Sequence, residues 1–438
     1  MKPTAHRHAL RHWFYSVVYG VGIALGASHA ASAASPNTNL LAPHWVSAWA
    51  TALEPIPDNS QAIFPTPDVG GRTFRQIVYP TLSGQAVRIR VSNAYSNAPL
   101  VVKALRIGQS AGGAALTANS SVAATFSGAT EVTLSPGQEL DTDPIPYAVK
   151  AGVPYALSLY LGDQQKMTVW HGVSNQVNYV SDVGDHTSDA AADAYQNGIT
   201  HYAWMTELAV QKHLPFASTV AAIGDSLTDS EGSSVNLNRR WTDAFAARLA
   251  KVGAREIGVL NLGLTGNRLL NDSVCYGAAV ENRFERDVLA HPGVKVVILQ
   301  AGDNDIGFAA AQPQPGLDCL APHKQGDFQS LVDGYQRIIA VAHQHGISVI
   351  GATLAPALLS PAPLEQTRQQ VNTWIRTSGA FDGVADFDAA LRDPANPSVI
   401  QARYLSSDGL HPNDAGYAAV ANAVPLWEVI IQSLRYRR

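Results

Sequence analysis

Beyond Pro215, short apolar runs alternate with helix-period segments, and this alternation limits the fold more than any other feature of the chain. The apolar runs STVAAIG, IGVLNLG, KVVILQAG, SVIGATLAP and GVADF are each strand-length. Between them lie RRWTDAFAARLA, with Trp241, Phe245 and Leu249 at helical spacing, and AAVENRFERDVLA, with Val280, Phe284 and Val288 in line. FQSLVDGYQRIIAVAHQH and EQTRQQVNTWIRTS continue the series, and a helical segment closes it. Strands alternating with helices predict a parallel sheet covered by helices on both faces. Five strands suit a flavodoxin-like, doubly wound order.

The preceding stretch has a different rhythm. In QAVRIRVSN, Val87, Ile89 and Val91 alternate with Arg88 and Arg90; in YALSLYLGD, Leu157, Leu159 and Leu161 alternate with Ser158 and Tyr160. Period two with one polar face predicts half-buried antiparallel strands. SPGQ (135–138) and NAYSNAP (93–99) punctuate them as turns. Residues 45–213 therefore read as an all-β sandwich or jelly-roll-like domain, and 217–438 as the α/β domain. The length of 438 residues agrees with two cores. A net charge of −5 without a basic block excludes the usual footprint of a nucleic-acid binder.

The first 33 residues read as an export leader. Lys2, Arg7 and Arg11 precede an apolar stretch from Trp13 to Ala27, and Ala31-Ser32-Ala33 has the form of a cleavage site. The stretch falls short of the roughly 20 residues that span a bilayer, so no stable membrane anchor is expected after cleavage. The expected location is secreted or periplasmic. In such a compartment the two cysteines, Cys275 and Cys319, are expected to form a disulfide.

In an open α/β sheet, ligands bind outside the carboxyl ends of the strands. Four of the five strands are followed there by small or polar residues: Gly224-Asp225-Ser226-Leu227, then GLTGNR with Gly266, Asn267 and Arg268, then GDND with Asn304, and finally SSDGLHPNDAGY with Asp408 and His411. A serine hydroxyl attacks well only when a base takes its proton, and histidine titrates in the useful range. A carboxylate holds the imidazole in the right tautomer. Asp408 and His411 are close enough for one turn to bring both to Ser226. The backbone N–H groups of Ser226 and Gly266 and the Asn304 amide are candidates for the donors an oxyanion needs.

These four blocks, GDSL, GLTGN, GDND and DGLHP in that order, resemble the conserved blocks of the SGNH/GDSL hydrolases. The resemblance covers about 217–438. It implies a flavodoxin-like fold and serine esterase or acylhydrolase activity. It also implies Ser226 as nucleophile and oxyanion donor, Gly266 and Asn304 as the other donors, His411 as base and Asp408 as its partner. The serine lies in G-D-S, not in the G-x-S-x-G elbow of the α/β-hydrolases. WVSAWATA and RIRVSNAYSN make the first half similar to the β-domain of some secreted bacterial members.

Blander roles stand beside these. Gly266 also suits a tight turn, and Asn304 a helix cap. Asp225 and Arg268 are candidates for a substrate-facing loop; Asp225 also suits shaping the serine turn, and Arg268 a structural ion pair. His343 and His345 are two apart on a helix and point to different faces, so no metal is expected there. Trp45, Trp49, Trp170 and Trp204 suit core packing better than sugar stacking.

The resulting expectation is a secreted serine carboxylester hydrolase that forms an acyl-enzyme and calls for neither metal nor organic cofactor. Its expected partner is a small-molecule, glycan or lipid ester, with short acyl groups such as those of O-acetylated glycans favoured. Lipase, lysophospholipase or arylesterase activity is the near alternative. An acyltransferase, or a glycan-binding protein with a vestigial hydrolase domain, is the more distant one.

Overall fold

The structure, a computed structural model, describes residues 42–57, 65–357 and 362–435. The expected leader at 1–33 lies outside the described residues. Residues 42–213 are antiparallel β-structure with no helix among the described residues. Its main strands are β1 (His44–Ala50), β2 (Arg72–Val78), β3 (Val87–Ser92), β4 (Leu100–Gly112), β5 (Glu139–Asp141), β6 (Tyr155–Leu161), β7 (Asn178–Val183), β8 (Asn197–Ile199) and β9 (Met205–Lys212). One sheet runs β1–β9–β3–β5; the other runs β8–β7–β2–β6–β4 with short edge strands beyond β4. Ile89, Val91, Leu208 and Val210 of the first sheet share one core with Phe74, Leu105, Leu157 and Leu159 of the second. The alternation of apolar and polar residues in β3 is the cause: the apolar face turns to the other sheet and the arginines turn outward. A two-residue pair, Glu54–Pro55 with Val169–Trp170, lies outside both sheets.

The second half is built on five parallel strands: β10 (Ser218–Gly224), β11 (Ile257–Gly263), β12 (Val294–Gln300), β13 (Ser348–Ala352) and β14 (Gly383–Ala385). Their spatial order is β11–β10–β12–β13–β14. That is the flavodoxin-like arrangement, with its switch point beside β10. Every residue of β10 and β13 is buried, as a strand covered on both faces requires. The helices are α1 (Ser226–Asp229), α2 (Trp241–Lys251), α3 (Val280–Phe284), α4 (Asp303–Ala309), α5 (Phe328–Gln344), α6 (Ala362–Thr377), α7 (Phe387–Leu391), α8 (Asp414–Ala423) and α9 (Leu426–Leu434). One face of the sheet packs on α3, α5 and α6 through Val280, Leu331, Tyr335, Ile338 and Val371. The other packs on α2, α7, α8 and α9 through Trp241, Phe245, Phe387, Val420 and Val429.

The expected helix over AAVENRFERDVLA is not uniform. α3 passes into a π-helical turn at Glu285–Leu289. Asp287 within that turn is reached by both Arg283 (3.0 Å) and Arg286 (2.7 Å).

The two halves are joined by main-chain bonding as well as by apolar packing. Ser47 N–H donates to the Pro292 carbonyl (2.9 Å), and Thr219 Oγ1 donates to the Ser47 carbonyl (2.7 Å). Thr81 Oγ1 accepts from Val259 N–H at 2.9 Å. β1 of the first half thereby lies across the parallel sheet. No described helix is long and apolar enough to cross a membrane.

Candidate active site

β10 ends at Gly224, where a Cβ would stand 1.8 Å from the Gln300 carbonyl oxygen of β12. Only glycine permits that approach, and it delivers the next two residues to the switch point of the sheet. Asp225 caps α1: its carboxylate accepts from Leu227 N–H (3.0 Å) and from Gln300 Nε2 (3.2 Å). Burial raises its pKa to about 7, against the pull of those two donors. These bonds fix the turn that leads into Ser226. Ser226 is the first residue of α1 and is partly exposed.

The segment ahead of α8 supplies the partners. His411 Nε2 lies 2.9 Å from Ser226 Oγ, and His411 Nδ1 lies 2.8 Å from Asp408 Oδ2. The other oxygen, Asp408 Oδ1, accepts from the backbone N–H groups of Leu410 (2.7 Å) and His411 (2.9 Å) and from Ser406 Oγ (2.7 Å). Burial works to raise the Asp408 pKa. The His411 and Leu410 backbone donors, the Ser406 hydroxyl and the imidazole outweigh it and hold the carboxyl well below its usual range. A carboxylate that stays ionised orients the imidazole with Nε2 free to take the serine proton.

The loop after β11 is tied to this point. Leu264 N–H donates to the Gly224 carbonyl at 3.1 Å, and Asn304 Nδ2 donates to the Asn267 carbonyl at 2.9 Å. Gly266 has φ +74, and a Cβ there would lie 2.4 Å from the Tyr276 ring. The Ser226 and Gly266 backbone N–H groups have no hydrogen-bond partner among the described residues, and Asn304 keeps a second N–H unspent. Asn304 lies inside α4, whose N-cap is Gly302, so the helix-cap role does not apply to it. Three donors thus stand at strand ends around Ser226, chemically suited to an oxyanion.

Arg268 departs from the expected substrate-facing role. It is 1% exposed, and its guanidinium donates to the carbonyls of Leu320 (3.1 Å), Pro322 (3.0 Å), Asp272 (2.7 Å) and Ala321. It braces the 320–322 segment from inside, because a buried guanidinium must spend its donors on nearby acceptors. Cys275 and Cys319, in the same pair of loops, form a disulfide. His343 bonds Asp382 (2.7 Å) and His345 bonds the Val341 carbonyl (2.9 Å), so the two imidazoles part, and no group able to hold a metal is found among the described residues. Trp170 and Trp204 are core residues, and Trp45 lies under Arg88.

The chain does contain one G-x-S-x-G sequence, Gly108 to Gly112. It lies within β4, its Ser110 is buried, and that hydroxyl accepts from Gly112 N–H. A paired strand offers no exposed elbow.

Two acids near the serine escaped the sequence reading. Glu231 Oε2 lies 3.6 Å from His411 Nε2, with the side chain partly buried. Burial raises its pKa, with His411 opposing and Asp229 adding to the rise. Asp229, at the end of α1, accepts from Thr265 N–H (3.2 Å) and Thr265 Oγ1 (3.1 Å). Both residues look like turn chemistry in the sequence, and no local signal marks them.

The family model described as GDSL-like lipase/acylhydrolase matches residues 222–419. No curated protein matches the chain. Solved structures similar to it include an acetylxylan esterase from Geobacillus stearothermophilus, at 19% identity and TM-score 0.37, covering 50% of this chain and 97% of that one. A GDSL-like lipase from Bacteroides thetaiotaomicron VPI-5482 overlaps at 16% identity and TM-score 0.35, covering 50% and 90%. An alpha/beta hydrolase enzyme from the metagenome of Lake Arreo, Spain, overlaps at 18% identity and TM-score 0.36, covering 50% and 97%. Residues 222–419 are a domain of the GDSL-like lipase/acylhydrolase family, and the chain that carries it is a carboxylester hydrolase.

Proposed function

We propose that Ser226 is the nucleophile of an acyl-enzyme mechanism, with His411 as its base and Asp408 as the group that orients His411. The observation that carries this reading is the unbroken Ser226–His411–Asp408 hydrogen-bond chain, at 2.9 and 2.8 Å. Ser226 attacks the ester carbonyl as His411 Nε2 takes its proton. The oxyanion rests on the N–H groups of Ser226 and Gly266 and on the Asn304 amide. His411 then protonates the leaving alcohol, and the same residue activates the water that releases the acyl group.

Within the carboxylester class, we propose short acyl groups, such as acetyl groups on glycans, as substrate. A carboxyl group at Glu231, 3.6 Å from His411 Nε2, supports this, because a long alkyl chain lying there would desolvate it. The leader-like sequence at 1–33 and the disulfide support a secreted or periplasmic enzyme. Ser226→Ala in the full chain tests the mechanism: ester turnover should fall to background while the protein stays folded, and retained turnover would refute it. A series of nitrophenyl esters from acetate to palmitate tests the substrate class. Highest kcat/KM on acetate or propionate is expected; a preference for long chains would instead make the enzyme a lipase.

A further inference from the structure

A histidine of the β-structured half reaches the helix that begins with Ser226. His171 follows the Val169–Trp170 pair and is 3% exposed. Its Nδ1 lies 3.2 Å from the Ala52 carbonyl oxygen, and its Nε2 lies 3.0 Å from the Val173 carbonyl oxygen and 3.1 Å from Asp229 Oδ1. All three are acceptors without a proton to give. A ring that donates from both nitrogens, the imidazolium form, satisfies all three. Burial opposes that charge, but Asp229 and then Glu54 outweigh it and raise the His171 pKa. The other groups around it are the Tyr202 ring, 5.8 Å away, and His201, whose own pKa burial lowers.

Asp229 is the junction. Its Oδ1 faces His171, and its Oδ2 takes both the N–H and the hydroxyl of Thr265. Thr265 directly precedes Gly266. One carboxylate therefore links the helix that starts with Ser226, the loop that bears the Gly266 N–H, and the β-structured half. Without His171, Asp229 Oδ1 loses its partner from the β-structured half, and the carboxylate that holds Thr265 is no longer fixed from that side.

We propose that His171 is a positioning residue for ester hydrolysis: paired with Asp229, it holds Thr265 and so keeps the Gly266 N–H aimed at the oxyanion. This rests on the acyl-enzyme reading above. Oxyanion donors act on the transition state, so misplacing one lowers kcat and leaves KM nearly unchanged.

The test uses the full-length enzyme and a nitrophenyl acetate assay. His171→Gln should lower kcat at least tenfold with KM within twofold of the parent, and a folded His171→Gln enzyme with parental kcat would overturn the proposal. Thr265→Val should lower kcat in the same way, whereas Thr265→Ser, which keeps the hydroxyl, should restore it; equal kcat in both would also overturn it. This second pair leaves the β-structured half intact and decides the matter if His171→Gln does not fold. The double variant His171→Gln/Thr265→Val should be no slower than the slower single, because both act through Asp229, and additive losses would count against the link. Ser226→Ala separates the two readings. If it stays active, the nucleophile assignment fails; if it is dead while His171→Gln is fully active, only the positioning role fails.

Discussion

At the scale of single residues, the donors beside Ser226 are held by bonds that leave N–H groups to spare. Asn304 spends one N–H on the Asn267 carbonyl at 2.9 Å and keeps the other. Asn304→Ala should therefore cost about 10²–10³ in kcat, or about 2.7–4 kcal/mol of transition-state stabilisation, with KM little changed. Steady-state kinetics on a short ester checks this, and a loss confined to KM would remove Asn304 from the oxyanion site. Ser226, Asp408 and His411 were legible because their motif sits at strand ends. Arg268 was not, since only its surroundings separate a substrate-facing arginine from one that bonds four carbonyls. Glu231 and Asp229 were invisible for the same reason: their partners, His411 and Thr265, lie far along the chain.

At the scale of elements, the site is a set of strand-end loops, and the stiffness of those loops decides its precision. The loops bearing Cys275 and Cys319 carry no regular structure at either cysteine, yet they flank Tyr276, whose ring backs Gly266. The disulfide closes a loop with a sequence separation of 44 residues. Replacing both cysteines by serine should lower the free energy of unfolding by up to about 4 kcal/mol in the chain-entropy picture. Urea unfolding of the oxidised parent and the double variant measures it, and equal midpoints would show that the bridge adds nothing. Strand and helix positions were readable from periodicity. The π-helical turn after α3 was not, because the same apolar spacing fits an unbroken α-helix.

At the scale of the whole molecule, folding buries acids that other parts of the chain must accommodate. Burial raises Glu54 to about 8 and Asp225 and Asp305 to about 7. In the unfolded chain such groups ionise near pH 4. Between about pH 4 and 8 the native state thus holds more protons than the unfolded state, so stability falls as pH rises through that window. His171 acts in the same direction: its raised pKa adds stability below its unfolded value, which is lost as pH rises through the folded one. Glu207 and Asp287, whose pKa values are lowered against the opposing effect of burial, lose their contribution only as pH falls below the ordinary carboxylate range. Calorimetry should give a higher Tm at pH 5.5 than at pH 8.5, and Glu54→Gln should shrink the difference. A Tm that rises toward pH 8.5 would contradict the burial of these acids.

The sequence by itself determined the class of each half, the parallel order of the α/β half and the candidate set Ser226, Asp408 and His411. These follow from residue patterns a few positions long: period two, period 3.6, and glycine and asparagine at strand ends. Only the tertiary structure decided that a histidine from the β-structured half pairs with Asp229, and that Arg268 turns inward. Those outcomes depend on which distant elements pack together, because a buried charge takes whichever partners packing leaves within about 3 Å. No local pattern records that choice.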